Sequence, residues 1–306
     1  MKSFLVLMKR EIWENPAFYF APLVVAALIL VSGIYNAFYS VGKYVGFERV
    51  VQLLGTIPEA ARPIMYSWWP ALVVVFNMVM VFVLGFYLMD SLYADRKDRS
   101  ILFWKSLPVP DSTTVLSKLA TAMFTVPLFT LLVTIGSFLV LLVVCTIMIW
   151  LGGGSAWELV WKPTPLLDGT LFLSYAFLVQ SLWYLPLIGW VMLASAWSRR
   201  APFIWVVLPP VALILLEQMI LRSQHLVTLI AERMVGVFPL AFRIEDSQVR
   251  AMQDNFANQE LSDIPQITDL IDPTPLLTSI DLWLGFAVAG LFIGAAIWLR
   301  RYRDET

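Results

Sequence analysis

Apolar residues in this chain gather in long unbroken runs, not in the alternation of a half-buried strand or the every-third-residue stripe of a surface helix. Six runs stand out, at about 18–40, 69–90, 119–150, 171–197, 203–221 and 282–299. Each is about 18 residues or more with few charges, enough to cross a hydrocarbon layer of about 30 Å as a helix. Helix is the required form, because lipid offers no partner to unpaired backbone N–H and C=O groups. The pattern predicts an all-α membrane protein with six transmembrane helices in a single domain, 1–306. The third run is the longest and must tilt or protrude beyond the bilayer. The fourth carries Pro186, and the fifth carries Pro209-Pro210.

The segments between the runs have patterns of their own. Residues 2–14 place Phe4, Leu5, Met8 and Ile12 on one helical side and most of the charges elsewhere, as in a helix lying along a membrane surface. Residues 41–68 read as a connecting loop ending in Trp68-Trp69, aromatics suited to a water–lipid boundary. Gly152-Gly153-Gly154 opens a second loop, flanked by Trp150, Trp157 and Trp161. The connection Ser198–Pro202 is so short that the fifth run must turn straight back. Residues 222–280 form the one sizeable polar region. Two short amphipathic helices are expected there, on Leu226, Leu229, Ile230 and Met234 and on Val249, Met252 and Phe256, before the return IDPTPLL.

Composition supports the membrane reading: 59% of the 306 residues are hydrophobic and 14% are charged, against roughly 25% charged in soluble domains. The distribution of charge matters more than its sum of −1. Taking loops alternately, 1–17, 91–118, 198–202 and 300–306 hold 13 Lys and Arg, whereas the longer set 41–68, 151–170 and 222–280 holds 8. Cytoplasmic loops are the basic ones. Both termini are therefore expected inside a plasma (inner) membrane, with 222–280 outside. The first run lacks a small-residue cleavage pattern and reads as a retained span. No internal repeat of the inverted-transporter kind is visible.

Several chemistries are missing. No G-x-x-x-x-G-K-[ST] phosphate loop occurs, so the chain does not bind ATP by that route. A single histidine, His225, excludes a His-rich zinc site within the chain, and no G-x-S-x-G elbow is present. The lone Cys145 lies in an apolar run and allows no internal disulfide. Asn77, Gln180 and Glu217 are the candidate intramembrane polar groups, read either as helix–helix hydrogen bonds (for Glu217, as an interfacial carboxylate near the outer surface) or as functional polar groups. Asp90, at the end of the second run, reads as a solvated interfacial carboxylate.

The segment 91–118 differs from every other loop. Asp95 precedes Arg99 by four residues, a favourable helical ion-pair order, and Ile101, Leu102, Phe103 and Trp104 form an apolar cluster beside the charges. Such a helix, held between two spans, suits docking into a partner's cleft, the aromatics anchoring and the arginines steering. Pro108 and Pro110 end it, and Asp111 or Ser112 is placed to cap the next helix. ADRKDRSILFWKSLPVPDSTTVLSKL resembles the cytoplasmic loop between spans two and three of ABC-2-type transporter permeases. The likeness lies in Asp95–Arg99, Ile101–Leu107 with Pro108, and Asp111–Lys118, with Ser117 in place of the commoner Gly. The wider layout is similar too: an N-terminal amphipathic helix, six spans, a very short loop between the fourth and fifth, and an external helical insert before the sixth.

The resemblance implies a non-catalytic membrane subunit of an ATP-driven transporter, an exporter, paired with a second permease subunit and with cytoplasmic ABC ATPase subunits. It implies a cytoplasmic coupling helix whose ATPase-coupling residues are Asp95, Arg96, Arg99, Ile101, Phe103 and Trp104. ATP and Mg would sit on the partner, with no cofactor or metal on this chain. Membrane lipid is an expected partner and nucleic acid is not. The alternative is a free-standing ion-coupled secondary transporter using Asn77, Gln180 and Glu217.

Overall fold

A computed structural model describes residues 2–56, 58–98, 109–164, 166–242 and 271–302, and its regular structure among them is helical throughout. Six helices are long and apolar enough to cross a membrane: Ala17–Val45, Ala71–Lys97, Asp111–Leu151, Trp157–Trp183, Pro202–Ile220 and Ile280–Tyr302. Six spans were expected, and five of these overlie the predicted runs.

The chain opens with α1 (Lys2–Glu14), then α2 (Ala17–Tyr35), which continues into π-helical turns over Asn36–Val45. Gly46, at φ 83°, turns the chain into α3 (Phe47–Thr56), and α4 (Pro58–Ser91) follows. The expected loop at 41–68 is therefore mostly helix. Its apolar positions have somewhere to pack: α3 lies on the far end of the third span. A Cβ on Gly152 would stand 2.5 Å from the Phe47 carbonyl oxygen, and one on Gly154 would stand 2.7 Å from a Val51 methyl. The triple glycine thus serves close helix approach as well as a turn.

After the short α5 (Tyr93–Lys97), α6 (Asp111–Ala120) runs through π-helical turns at Thr121–Thr125 into α7 (Val126–Leu151). That is 41 residues of near-continuous helix, about 60 Å at 1.5 Å per residue and so twice a hydrocarbon core. Its buried hydroxyls are satisfied within the helix, as in Thr130 to the Val126 carbonyl and Thr134 to the Thr130 carbonyl.

The fourth run departs from expectation. Instead of one span at 171–197, the chain forms α8 (Leu166–Trp183) and α9 (Leu185–Trp197), separated at Tyr184 with φ −78° and ψ −1°. Pro186 explains the break: it has no N–H to donate to residue 182, and its ring crowds the preceding turn. In α10 (Pro202–Ile220) the paired prolines do not break the helix. Pro210 leaves the Val206 carbonyl without its helical donor, and the Trp190 indole N–H of α9 supplies one at 3.1 Å.

Beyond α10 stand α11 (His225–Val235) and α12 (Val237–Ala241), then α13 (Thr274–Thr278) and α14 (Ile280–Tyr302). α11 realises the first predicted amphipathic helix. The second, on Val249, Met252 and Phe256, lies outside the described residues. The most extensive helix pair is α9 with α14. Small residues allow the approach, with Ala196, Ala289 and Ala296 buried and Gly189 set against Ala289.

Candidate functional site

α1, the start of α6 and the end of α14 meet at one end of the bundle, and between them lies a cluster of buried charge. Its construction begins in α4. An unbroken helix would give the Met89 carbonyl to the Tyr93 N–H. Instead the Ser195 hydroxyl of α9 enters that gap. It donates to the Met89 carbonyl at 2.7 Å and accepts the Leu92 and Tyr93 N–H groups, each at 3.1 Å. Ser195 is fully buried. The hydroxyl therefore satisfies the backbone at the joint where α4 ends and α5 begins.

Arg96 then fixes α5 in place. Its guanidinium donates to the Ser195 carbonyl and, at 2.9 Å, to the Ser198 carbonyl, both at the C-terminal end of α9. A cation there also meets the negative end of the helix dipole. Asp95 points inward, 5% exposed, where its carboxylate accepts from Arg300 Nη1 at 2.7 Å and lies 3.8 Å from Lys118 Nζ. Arg300 Nε reaches Asp111 at 3.1 Å. Lys118 pairs with Glu11 at 2.9 Å, and Tyr87 donates its hydroxyl to Glu11 at 3.0 Å. Glu11, Asp95, Lys118 and Arg300 have side chains no more than 7% exposed. One connected set thus ties α1, α4, α5, α6 and α14. Burying these charges costs free energy that the pairing has to offset.

The predicted residues fare unevenly. Asp95 and Arg96 are turned into the chain's own structure, while Arg99, Ile101, Phe103 and Trp104 lie outside the described residues. Asn77 and Gln180 are brought together, each amide donating to the other's oxygen, Gln180 to Asn77 at 3.0 Å. Glu217 stands apart from them. Its carboxylate accepts from the Ser223 hydroxyl and from the His225 and Leu226 N–H groups at 2.6 to 2.9 Å, which caps α11. His225 is exposed at the head of that helix.

Glu11, Asp111, Lys118, Ser195 and Arg300 were missed as members of a site. Lys118 and Arg300 were legible only as positive-inside charges. Glu11 gave a fainter signal: it follows Leu7 by one helical turn, so both share a face. That face, not the expected Phe4–Leu5–Met8–Ile12 side as a whole, is turned inward. Leu7 is 7% and Glu11 3% exposed, whereas Leu5 is 63% exposed.

At the opposite end, Arg233 of α11 lies over the Trp183 ring, 4.3 Å from its centroid, and donates to the Asp281 carbonyl. Burial pulls its guanidinium below the usual arginine range, and Asp281 opposes that shift. Gly285 makes the room, since a Cβ there would stand 2.7 Å from Arg233 Nη2. No group of metal-ligating side chains occurs among the described residues.

No protein-family model matches this chain, and no curated protein or solved structure is similar enough to count as a relative.

Proposed function

We propose that this chain is the membrane-spanning, non-catalytic subunit of an ATP-driven exporter, worked by a separate cytoplasmic ATPase through the segment 91–118. The reading supposes both termini inside a plasma (inner) membrane, ATP and Mg on the ATPase, and a second permease subunit, most simply a second copy. The observation that supports it best is Asp95, buried between Arg300 and Lys118. A push delivered to 99–108 enters the membrane part on both sides, through α5 and through α6. Asp95 and Asp111 share Arg300, so α14 moves with them; Lys118 carries the displacement to α1 through Glu11, and Arg96 carries it to α9. Asp95 and Arg96 hold the lever from behind, and Arg99, Ile101, Phe103 and Trp104 form the contact surface. α10 buries only Glu217 within the chain, which leaves an apolar rod for lipid or a second subunit to cover.

No observation favours the ion-coupled carrier. Asn77 and Gln180 satisfy each other, and Glu217 is occupied as a helix cap. The test is co-purification of a nucleotide-hydrolysing ATPase with this chain from its native membrane. Arg99→Glu combined with Trp104→Ala should leave the subunit folded and inserted while ATPase recovery falls at least about tenfold, as expected for losing anchor residues of an interface. Undiminished recovery would remove those residues from the contact, and transport by the purified chain alone would overturn the reading.

A further inference from the structure

A groove of about 820 Å³ opens on the lipid-facing side between the α1–α2 turn, the last turns of α4 and the first turn of α10. Its floor is Phe18 and Tyr87, which are 1% and 5% exposed, and its wall includes Phe82 and Phe86, which are 67% and 68% exposed. Ala17 and Ala21 face this wall with side chains too small to fill the space. Along α4 the lining runs from Val79 to Asp90, about 16 Å at 1.5 Å per residue. That is half of a hydrocarbon core of about 30 Å. The groove has the height of one leaflet.

Its polar end selects the headgroup. The mouth is formed by Asn15, Asp90 and Tyr93. Asp90 is exposed and makes no hydrogen bond or ion pair among the described residues, unlike the paired carboxylates of Glu11, Asp95 and Asp111. The Asn15 amide N–H₂ donates to the Glu11 carbonyl at 2.9 Å, leaving its side-chain oxygen as an acceptor. A mouth holding a carboxylate and an amide oxygen calls for a cationic donor, and a primary ammonium supplies three N–H groups. Arg199 and Arg200, both exposed, stand on the connection that ends at the groove-lining Pro202. They are available to a phosphate that a two-carbon spacer and an ester oxygen separate from the ammonium.

We propose that this groove is a binding site for a phospholipid with a primary-ammonium headgroup, phosphatidylethanolamine in its chemistry. An acyl chain packs against Val79, Phe82, Val83 and Phe86, and the ammonium sits on Asp90. The site takes its leaflet, the cytoplasmic one, from the orientation proposed above; the binding itself does not require the ATPase.

The experiment uses the full chain without any ATPase, so its failure leaves the coupling reading standing. The protein is reconstituted in vesicles of equimolar phosphatidylethanolamine, phosphatidylcholine and phosphatidylglycerol with matched acyl chains, re-extracted in mild detergent, and examined by native mass spectrometry. Phosphatidylethanolamine should be retained at least about tenfold over phosphatidylglycerol and several-fold over phosphatidylcholine, whose quaternary ammonium has no N–H to donate. Asp90→Asn should abolish that preference, Asp90→Glu should keep it, and Ala21→Trp should empty the groove of lipid. A phosphatidylethanolamine carrying a photoreactive acyl chain should crosslink the wild-type protein within 79–93 and 202–203. Retention in bulk proportion, preference for phosphatidylglycerol, an unchanged preference in Asp90→Asn, or crosslinks spread evenly over all spans would each overturn the proposal. The crosslink pattern decides it even if a variant does not fold.

Discussion

Arg300 holds two carboxylates at once, and that asymmetry makes the cluster testable one residue at a time. Arg300→Met takes from the buried Asp95 carboxylate its 2.7 Å partner, and removing one partner of a buried pair costs about 3–5 kcal/mol. Asp95→Leu costs less, because Arg300 keeps Asp111 at 3.1 Å. The double variant Asp95→Leu/Arg300→Met should recover at least half of the loss of Arg300→Met, read as unfolding midpoints in detergent. Strict additivity would show that the two side chains do not interact. None of this pairing was legible from spacing, since Asp95 and Arg300 are 205 residues apart. By contrast, Asn77 and Gln180 stand out in the sequence as polar groups that lipid would not tolerate alone, and the structure bonds them to each other. Their reciprocal amide bond is how two such groups inside a bilayer are most cheaply satisfied.

The joint between α4 and α5 depends on one hydroxyl from a distant helix. Ser195→Ala removes the acceptor for two buried N–H groups and the donor to the Met89 carbonyl. Leaving a buried group unpaired costs about 1–3 kcal/mol, which the chain can lower only by letting α4 and α5 change their relative angle. Spin labels at Phe86 and Lys97, both exposed, should therefore report a shifted or broadened distance distribution in Ser195→Ala. An unchanged distribution would mean the hydroxyl does not set the joint. Local rules at this scale work in part. Pro186 breaks the fourth run as its chemistry dictates, yet Pro209-Pro210 leaves α10 intact because Trp190 offers a substitute donor. The helix at 47–56 was missed for a related reason: its apolar residues are too few to read as a span and reveal their purpose only against Gly152 and Gly154.

α1, the last turns of α14, the joint at Leu92 and the α9–α10 connection gather at the same end of the bundle, which is the arrangement that six crossings with alternating basic loops require. Single cysteines at Lys97 and Arg200, in a Cys145→Ala background, should react with an impermeant maleimide only in inside-out vesicles. Cysteines at Ser155 and Gln224 should react only in right-side-out ones. The reverse pattern would invert the orientation and place the segment proposed to meet an ATPase where no ATP is available. Labelling of Lys97 and Ser155 from the same side would dismantle the six-span topology itself.

By itself the sequence determined that the chain carries six apolar helices long enough to cross a membrane, because an apolar run of span length has one stable state in lipid: a helix with its own backbone bonds closed. It also set an expectation for sidedness, since Lys and Arg gather in one alternate set of loops. Only the tertiary structure decided which of those charges face water and which face each other. Beyond the face that Glu11 shares with Leu7, nothing along the chain distinguishes Glu11, Asp95, Lys118 and Arg300 from solvated neighbours. Their burial follows from the rotation and depth at which five separate elements pack, and long-range packing is the one variable that hydropathy and spacing do not encode.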